Sequence, residues 1–231
     1  MMVRTGLIAA VWALGAGMAS AQALPEPLAQ ALNAAAVEDA RENWRFSMTV
    51  TTPDGEMQGR FDGSAAEDQR WVLVSPAEDE LEGTLAEIWA DVQEPGDPDD
   101  PGGLLFQIDD FDYVPGSIAP VSEDASGLRY AFAPQLEEGE EAMADFVTGE
   151  VTLRADMPQI QQIRVFATES FKPNVAVRVN EFELLQEFEP VAGFDAPVMT
   201  RMVQSVSGSA AFQSFEQNVE IRFDEIQHLE R

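Results

Sequence analysis

The stretch WRFSMTVTTPDGEMQGRFDG, residues 44–63, decides the fold because apolar and polar side chains alternate on both sides of a turn. Every second residue from Trp44 to Val50 is apolar, and a period of two is typical of a strand that buries one face. A Pro-Asp-Gly sequence then favours a turn. Met57 and Phe61 continue the alternation on the return path. The stretch therefore predicts an antiparallel hairpin with one apolar face.

Two helices and a third strand are predicted on either side of this hairpin. The Ala-rich segment from Pro25 to about Arg41 has leucines at helical spacing, which predicts an N-terminal amphipathic helix. The segment Gln69–Ser75 is predicted as a third strand, and it is apolar on both faces. An apolar stripe behind an acidic cluster predicts a second helix near residues 77–93.

The C-terminal third of the chain is a succession of predicted strands. In NVAVRVNEFELLQEFEPV the apolar positions are odd-numbered up to Val179 and even-numbered from Phe182 onwards. A strand cannot change the face of its side chains without an extra residue. The sequence therefore predicts a bulge or a sharp bend near Asn180.

These elements together predict a mainly β protein of the α+β class. We expect about 9–11 strands in one antiparallel sheet, since hairpins dominate. Two helices cannot cover a flat sheet of that width. A strongly curved sheet or half-closed barrel, with both helices packed on it or in it, buries the apolar face instead.

The first residues have the composition of a secretory signal peptide. Arg4 precedes the apolar run Leu7–Met18, and small residues follow it up to Ala23. The apolar run is shorter than the roughly 20 residues that span a bilayer. We therefore predict a leader over residues 1–23, a single domain over residues 24–231, and export to the bacterial periplasm. The protein is not expected to be an integral membrane protein.

The charge and the residues that the chain lacks limit its chemistry. The net charge is −29, which disfavours nucleic acid and suits a basic protein partner. The chain has no cysteine, so thiolate nucleophiles and Cys-based metal sites are excluded. His228 is the only histidine, and its position on the polar face of the last strand predicts a surface side chain. We expect no cofactor.

The acidic stretch Asp91–Asp112 has three interpretations: a solvated loop, a surface that docks a basic partner, or a cation site. Carboxylates in a Gly- and Pro-rich loop are the type of ligand that Ca²⁺ prefers, and the candidates are Asp97, Asp99 and Asp100. Their spacing differs from that of an EF-hand loop. A pair of carboxylates could also serve a hydrolase, but with 42 acidic residues in the chain such a pair carries little information.

The order of the elements resembles the periplasmic outer-membrane lipoprotein carrier and receptor superfamily. The likeness lies in an exported helix, a three-strand meander ending in "RW", a second helix and a run of strands. The stretches GEVTLRADMPQIQQIRVF, FKPNVAVRVNEFELLQEFEPV and VEIRFDEIQ have the same cadence. The resemblance implies a half-closed barrel with an apolar cavity for acyl chains and helices as a lid. It implies a lipid, an acyl chain or a lipoprotein as partner.

Aromatic and methionine side chains near the predicted hairpin are the candidates for lining such a cavity. They are Trp44, Phe46, Met48, Phe61, Trp71 and Trp89. Ordinary core packing is the alternative, and in a half barrel one wall can serve both purposes. The sequence thus favours an exported, non-enzymatic protein that binds a lipid or a hydrophobic segment. The alternatives are an acidic interaction or assembly protein that docks a basic partner and a carboxylate-dependent hydrolase.

Overall fold

The computed structural model describes residues 24–94, 103–106, 111–125, 127–136, 143–211 and 213–229. Within these residues the protein has two α-helices and eleven strands, and all eleven strands belong to one antiparallel sheet. The helices are α1 (Glu26–Ala35) and α2 (Gly83–Gln93). The strands are β1 (Trp44–Thr52), β2 (Gly55–Asp62), β3 (Trp71–Ser75), β4 (Ala119–Asp124), β5 (Gly127–Phe132), β6 (Val147–Leu153), β7 (Ile160–Ala167), β8 (Phe171–Asn174), β9 (Val177–Pro190), β10 (Pro197–Ala210) and β11 (Gln213–His228).

The strand order is β3-β2-β1-β11-β10-β9-β7-β6-β5-β4, and β8 pairs with β9 outside this path. The N-terminal hairpin therefore joins the rest of the sheet through the last strand, where Val50 of β1 is paired with Ile221 of β11. Among the described residues the sheet is open, with β3 and β4 as its terminal strands. The predicted fold class, a mainly β protein with one antiparallel sheet and few helices, is confirmed.

The core lies between one face of the sheet, here called the inner face, and the two helices. On β1 the burial alternates along the strand, as the sequence pattern predicts. Helix α1 packs against β7 through its apolar side, and α2 packs against β1 and β2. Leu85 and Trp89 are the buried residues of α2. Neither helix has the length and the apolar run that a membrane crossing needs.

The bulge predicted near Asn180 is confirmed. Along the β9–β10 pair, Glu181 is the partner of Ser207, whereas Val179 is the partner of Gly208. Asn180 is therefore the extra residue of β9. It lets Val179 and Phe182 both pack in the same small apolar cluster, which also contains Val147 and Phe171.

Both helices are shorter than predicted. Helix α1 ends at Ala35, and Asp39 instead accepts hydrogen bonds from the N–H of Ala40 and from the side chain of Asn43. Such local side-chain bonds compete with helix formation. Helix α2 begins at Gly83 and not near residue 77. In a longer helix Glu78 and Glu82 would be neighbours of like charge at i and i+4, which is unfavourable.

Candidate functional site

The structure gathers the six predicted cavity residues on the inner side of β1–β3 and on α2. Four of them are core residues with exposed fractions of 0–2 %, namely Trp44, Phe46, Met48 and Phe61. The rings of Phe46 and Phe61 stack with their centroids 4.9 Å apart. These four side chains do not line either of the two cavities described below. Trp89 is also buried, at 3 % exposed, but together with the half-buried Trp71 it lines an open groove.

Trp89 holds α2 close to the sheet. A Cβ atom on Gly59 would lie 3.1 Å from the Trp89 ring, so glycine at this position of β2 lets the indole approach the strand backbone. The rings of Trp71 and Trp89 meet edge to face, with centroids 6.3 Å apart. Aromatic pairs in this geometry contribute about 0.5–1.5 kcal/mol beyond the burial of their area. The two indoles thus fix the position of the helix relative to β3.

An open cavity of about 810 Å³ runs along β3, the terminal strand next to α2. We call this cavity the edge groove. The residues that define it are Arg60, Asp62, Arg70–Val74, Pro76, Glu78, Trp89 and Gln93. Both faces of β3 line it, because Trp71 is paired with buried Phe61 whereas Val72 is paired with Arg60 of the outer face. Val72 and Val74 are 54 % and 55 % exposed. The groove therefore presents a continuous apolar strip one strand long.

Charged side chains form the rim of the edge groove. Arg60 and Arg70 have no ion pair with any described residue. Asp62 is engaged by the Ser64 hydroxyl at 2.6 Å and by the Arg45 guanidinium at 2.8 Å. The hydrogen bonds from Ser64 and from Arg45 hold the pKa of Asp62 below its ordinary value. Asp62 is therefore ionised at neutral pH.

Three buried N–H donors belong to residues of the groove. They are Nε of Arg70 and the indole Nε1 atoms of Trp71 and Trp89, none of which has a hydrogen-bond partner among the described residues. A buried donor without a partner costs about 1–3 kcal/mol. Similar unpaired atoms occur at Arg41, Trp44, Arg154 and Gln159, so the open cavity, and not these donors, marks the β3–α2 region as the candidate site.

The arginines of β10 and β11 on the outer face form ion pairs. Arg201 contacts Glu220 at 2.7 Å and Glu187 at 3.2 Å, which links β9, β10 and β11. The hydrogen bond from Arg201 lowers the pKa of Glu220. The hydrogen bonds to Glu220 and Glu187 raise the pKa of Arg201. Arg222 adds a second contact to Glu220 at 2.7 Å. This ladder of ion pairs neutralises carboxylates locally, whereas Arg60 and Arg70 remain available at the groove.

A second cavity of about 390 Å³ lies at the ends of β5, β6, β7 and β9. Its lining includes Arg129, Arg154, Gln162 and Glu187. The Arg154 guanidinium donates to the main-chain oxygen of Phe188 at 3.1 Å. Because these walls are polar, the edge groove is the better match for an apolar ligand.

His228 is not among the residues that line the groove, and it lies far from β3 along the chain. Contrary to the prediction of a surface residue, its side chain is only 16 % exposed. Nδ1 donates to the Gly193 oxygen at 3.1 Å, and Nε2 lies 2.8 Å from Oδ2 of Asp39. Both ring nitrogens therefore face oxygen atoms of distant parts of the chain. The contacts tie the end of β11 to the segment after α1 and to the loop before β10.

The predicted cation site is not part of the described structure. Asp97, Asp99 and Asp100 lie outside the described residues, as do residues 95–102 and 107–110 of the stretch Asp91–Asp112. Within the described ranges, no group of three or more histidine and carboxylate side chains is placed to hold a metal ion. The solvated-loop and docking interpretations of this stretch stay predictions.

Sequence reasoning identified Trp71 and Trp89 but not the other groove residues. The pattern of Gln69–Ser75, apolar on both faces, is equally typical of a strand inside a sheet. Only the strand order places β3 at the end of the sheet, and that order depends on distant pairings. A search of protein-family models, of curated proteins and of solved structures finds no match to this chain.

Proposed function

We propose that this chain is a non-enzymatic binding protein that takes an apolar chain, either a lipid tail or a hydrophobic protein segment, in the edge groove. The observation that carries the proposal is the open apolar strip along β3, closed on one side by Trp89 of α2. Ligand sites are concave and mostly apolar, with a few polar groups that fix orientation. Arg60 and Arg70 supply such groups at the rim.

The burial of the other cavity candidates supports a site at the edge of the sheet. A ligand cannot reach Trp44 or Phe46 without displacing packed side chains, because these residues are 0 % and 1 % exposed. Trp71 and Leu73 are less buried and border the groove directly. The proposal therefore places the ligand at the rim of the aromatic cluster and not at its centre.

The proposal assigns the protein no catalytic step. Its only histidine, His228, contacts the Asp39 carboxylate and the main-chain oxygen of Gly193. It lies far from the groove residues along the chain. A leader over residues 1–23 would deliver the protein to the bacterial periplasm. A place beside the outer-membrane lipoprotein carriers belongs to the same proposal and is supported by the order of the sequence elements.

The test is uptake of a fluorescent fatty acid by the protein after it has been stripped of bound lipid. We expect the probe to brighten on binding and Leu73→Asn to weaken its affinity by about tenfold, since a polar group would line the apolar strip. Val121→Asn is the matched control, because Val121 is 48 % exposed on β4 at the opposite end of the sheet. Equal uptake by both variants would contradict the edge groove as the site, and no uptake by the wild-type protein would exclude the lipid tail as the ligand.

A further inference from the structure

The two terminal strands of the described sheet differ in how they are protected. Strand β4 contains Pro120, Glu123 and Asp124. Proline and charged side chains are the usual means by which a terminal strand avoids pairing with other chains. Strand β3 has the sequence WVLVS, with no charge and no proline. It is therefore the terminal strand that remains suited to accept another strand.

The backbone of β3 has two sets of hydrogen-bonding groups. The N–H of Asp62 donates to the main-chain oxygen of Arg70 at 2.9 Å, so that oxygen points towards β2. Across a trans peptide the next N–H, that of Trp71, points the opposite way. By the alternation of a strand, the main-chain groups of Trp71 and Leu73 face away from β2. No other described strand pairs with β3.

The edge groove follows this same edge. Its lining includes every residue from Arg70 to Val74, so the cavity borders β3 along most of its length and extends from there to Arg60 of β2 and Trp89 of α2. An extended chain placed there would contact Trp71 and Leu73 with one set of side chains and Val72 with the other, up to the bulge at Val74.

The charges near one end of the groove select the chemistry of the occupant. Beyond Pro76 the chain carries Glu78, Asp79, Glu80 and Glu82, and no lysine or arginine occurs between Arg70 and Arg129. None of these four carboxylates has an ion-pair partner among the described residues. A second copy of this chain would bring the same acidic run and a net charge of −29. A segment with a basic end complements the site instead.

We infer that the free edge of β3 docks an extended segment of a partner protein, apolar at alternate positions and basic at the end near Glu78, which adds to the sheet as a further strand. In strand addition the main chain supplies affinity and the alternate side chains supply specificity. The inference rests on the proposed function, because it names the class of ligand that occupies the same groove.

The experiment titrates the full-length chain with the synthetic peptide acetyl-KTVTVTVK-amide and follows amide hydrogen exchange. We expect exchange at Trp71 and Leu73 to slow by about tenfold or more when the peptide is bound, because both N–H groups gain acceptors. The same peptide N-methylated at every internal residue keeps its side chains but loses its donors. We expect it to bind about tenfold more weakly.

Two further comparisons sharpen the test. Leu73→Pro removes the N–H at the free edge, and Leu73→Ala is its control for the loss of the side chain; only the former should abolish peptide-induced protection at Trp71. Glu78→Gln should bind the lysine peptide more weakly than the wild-type protein does, and added salt should reduce the difference. The N-methylated peptide keeps the test decisive even if Leu73→Pro fails to fold.

The outcomes separate this inference from the proposed function. Uptake of the fluorescent fatty acid without peptide binding overturns strand addition and leaves the proposed function standing. Failure of both probes overturns both. Equal binding of the methylated and unmethylated peptides shows apolar contact without pairing and overturns the inference. Concentration-dependent dimers that protect Trp71 and Leu73 would identify a second copy as the occupant and also overturn it.

Discussion

Two parts of one aromatic cluster have different surroundings. Phe46 lies on β1, two strands in from the end of the sheet, and contacts the rings of Phe61, Trp71 and Phe223. Trp71 lies on the terminal strand β3. One side of its ring faces the core, and its own strand borders the open edge groove. In this cluster, the distance from the sheet edge decides whether an aromatic residue only stabilises the fold or also borders the open groove.

The largest effect is expected at the centre of the cluster. Phe46 is 1 % exposed, so Phe46→Ala should lower the free energy of unfolding by about 3–5 kcal/mol through lost burial and a cavity. Urea unfolding measures the change. Phe166→Ala is the control on the outer face, where the ring stacks under Arg164 at 4.0 Å, and it should cost about 1 kcal/mol. Similar losses in the two variants would contradict the assignment of the core.

A smaller loss of stability is expected at the rim, together with a loss of binding. Trp71→Ala removes a half-buried indole and should cost about 1–3 kcal/mol. The variant should still fold, yet bind the fluorescent fatty acid about tenfold more weakly than the wild-type protein. Unfolding curves and probe titrations at the same temperature separate the two quantities. Unchanged uptake in a folded variant would mean that the ligand does not use the groove.

The ion pairs of the outer face give a pH-dependent effect that is independent of the groove. The folded-state pKa of Glu220 lies below the ordinary value of 4.5, so the unfolded chain binds more protons in acid. The pair with Arg201 therefore stabilises the protein above about pH 4.5 and loses its effect as pH falls through the lower folded pKa.

Glu220→Gln tests this contribution. At pH 7 the free energy of unfolding of the variant should be about 0.5–1 kcal/mol lower than that of the wild-type protein. This difference should disappear in acid. Glu189→Gln is the control, since Glu189 is exposed and has no ion pair with a described residue. A gap that stays constant down to pH 3 would contradict the role of the pair.

The smallest change in stability is expected at the exposed side of the strip. Val72→Asn should alter the free energy of unfolding by no more than about 0.5 kcal/mol, because the side chain is 54 % exposed. Uptake of the probe should nevertheless fall about threefold, as one wall of the strip becomes polar. Val175→Asn, at a fully exposed turn position, should change neither quantity. An uptake loss confined to Val175→Asn would place the ligand elsewhere.

The elements that the sequence predicts well are those whose pattern is local. The β1–β2 hairpin follows from strict alternation around a turn, and the bulge at Asn180 follows from a change of parity within one strand. Strand β4 lacks an alternating apolar pattern, and β8 is only four residues long, so neither was predictable from pattern.

The candidate site was only partly predictable, because it depends on which strands meet. Trp71 and Trp89 stand out as aromatic residues, but the sequence does not place β3 at the end of the sheet. That position arises because β11 pairs with β1 and leaves β3 with β2 alone. His228 illustrates the same limit: the polar parity of its strand predicts exposure, whereas Asp39 and Gly193 approach from distant parts of the chain and cover it.

The most direct test is nitrogen-15 NMR of the indole N–H groups during titration with laurate. Among the described tryptophans, Trp44 is buried away from the groove, and Trp71 and Trp89 line it. We predict that the signals of Trp71 and Trp89 shift in proportion to bound laurate while that of Trp44 stays in place. A shift of Trp44 without the other two, or no shift at saturating laurate, would contradict the edge groove as the binding site.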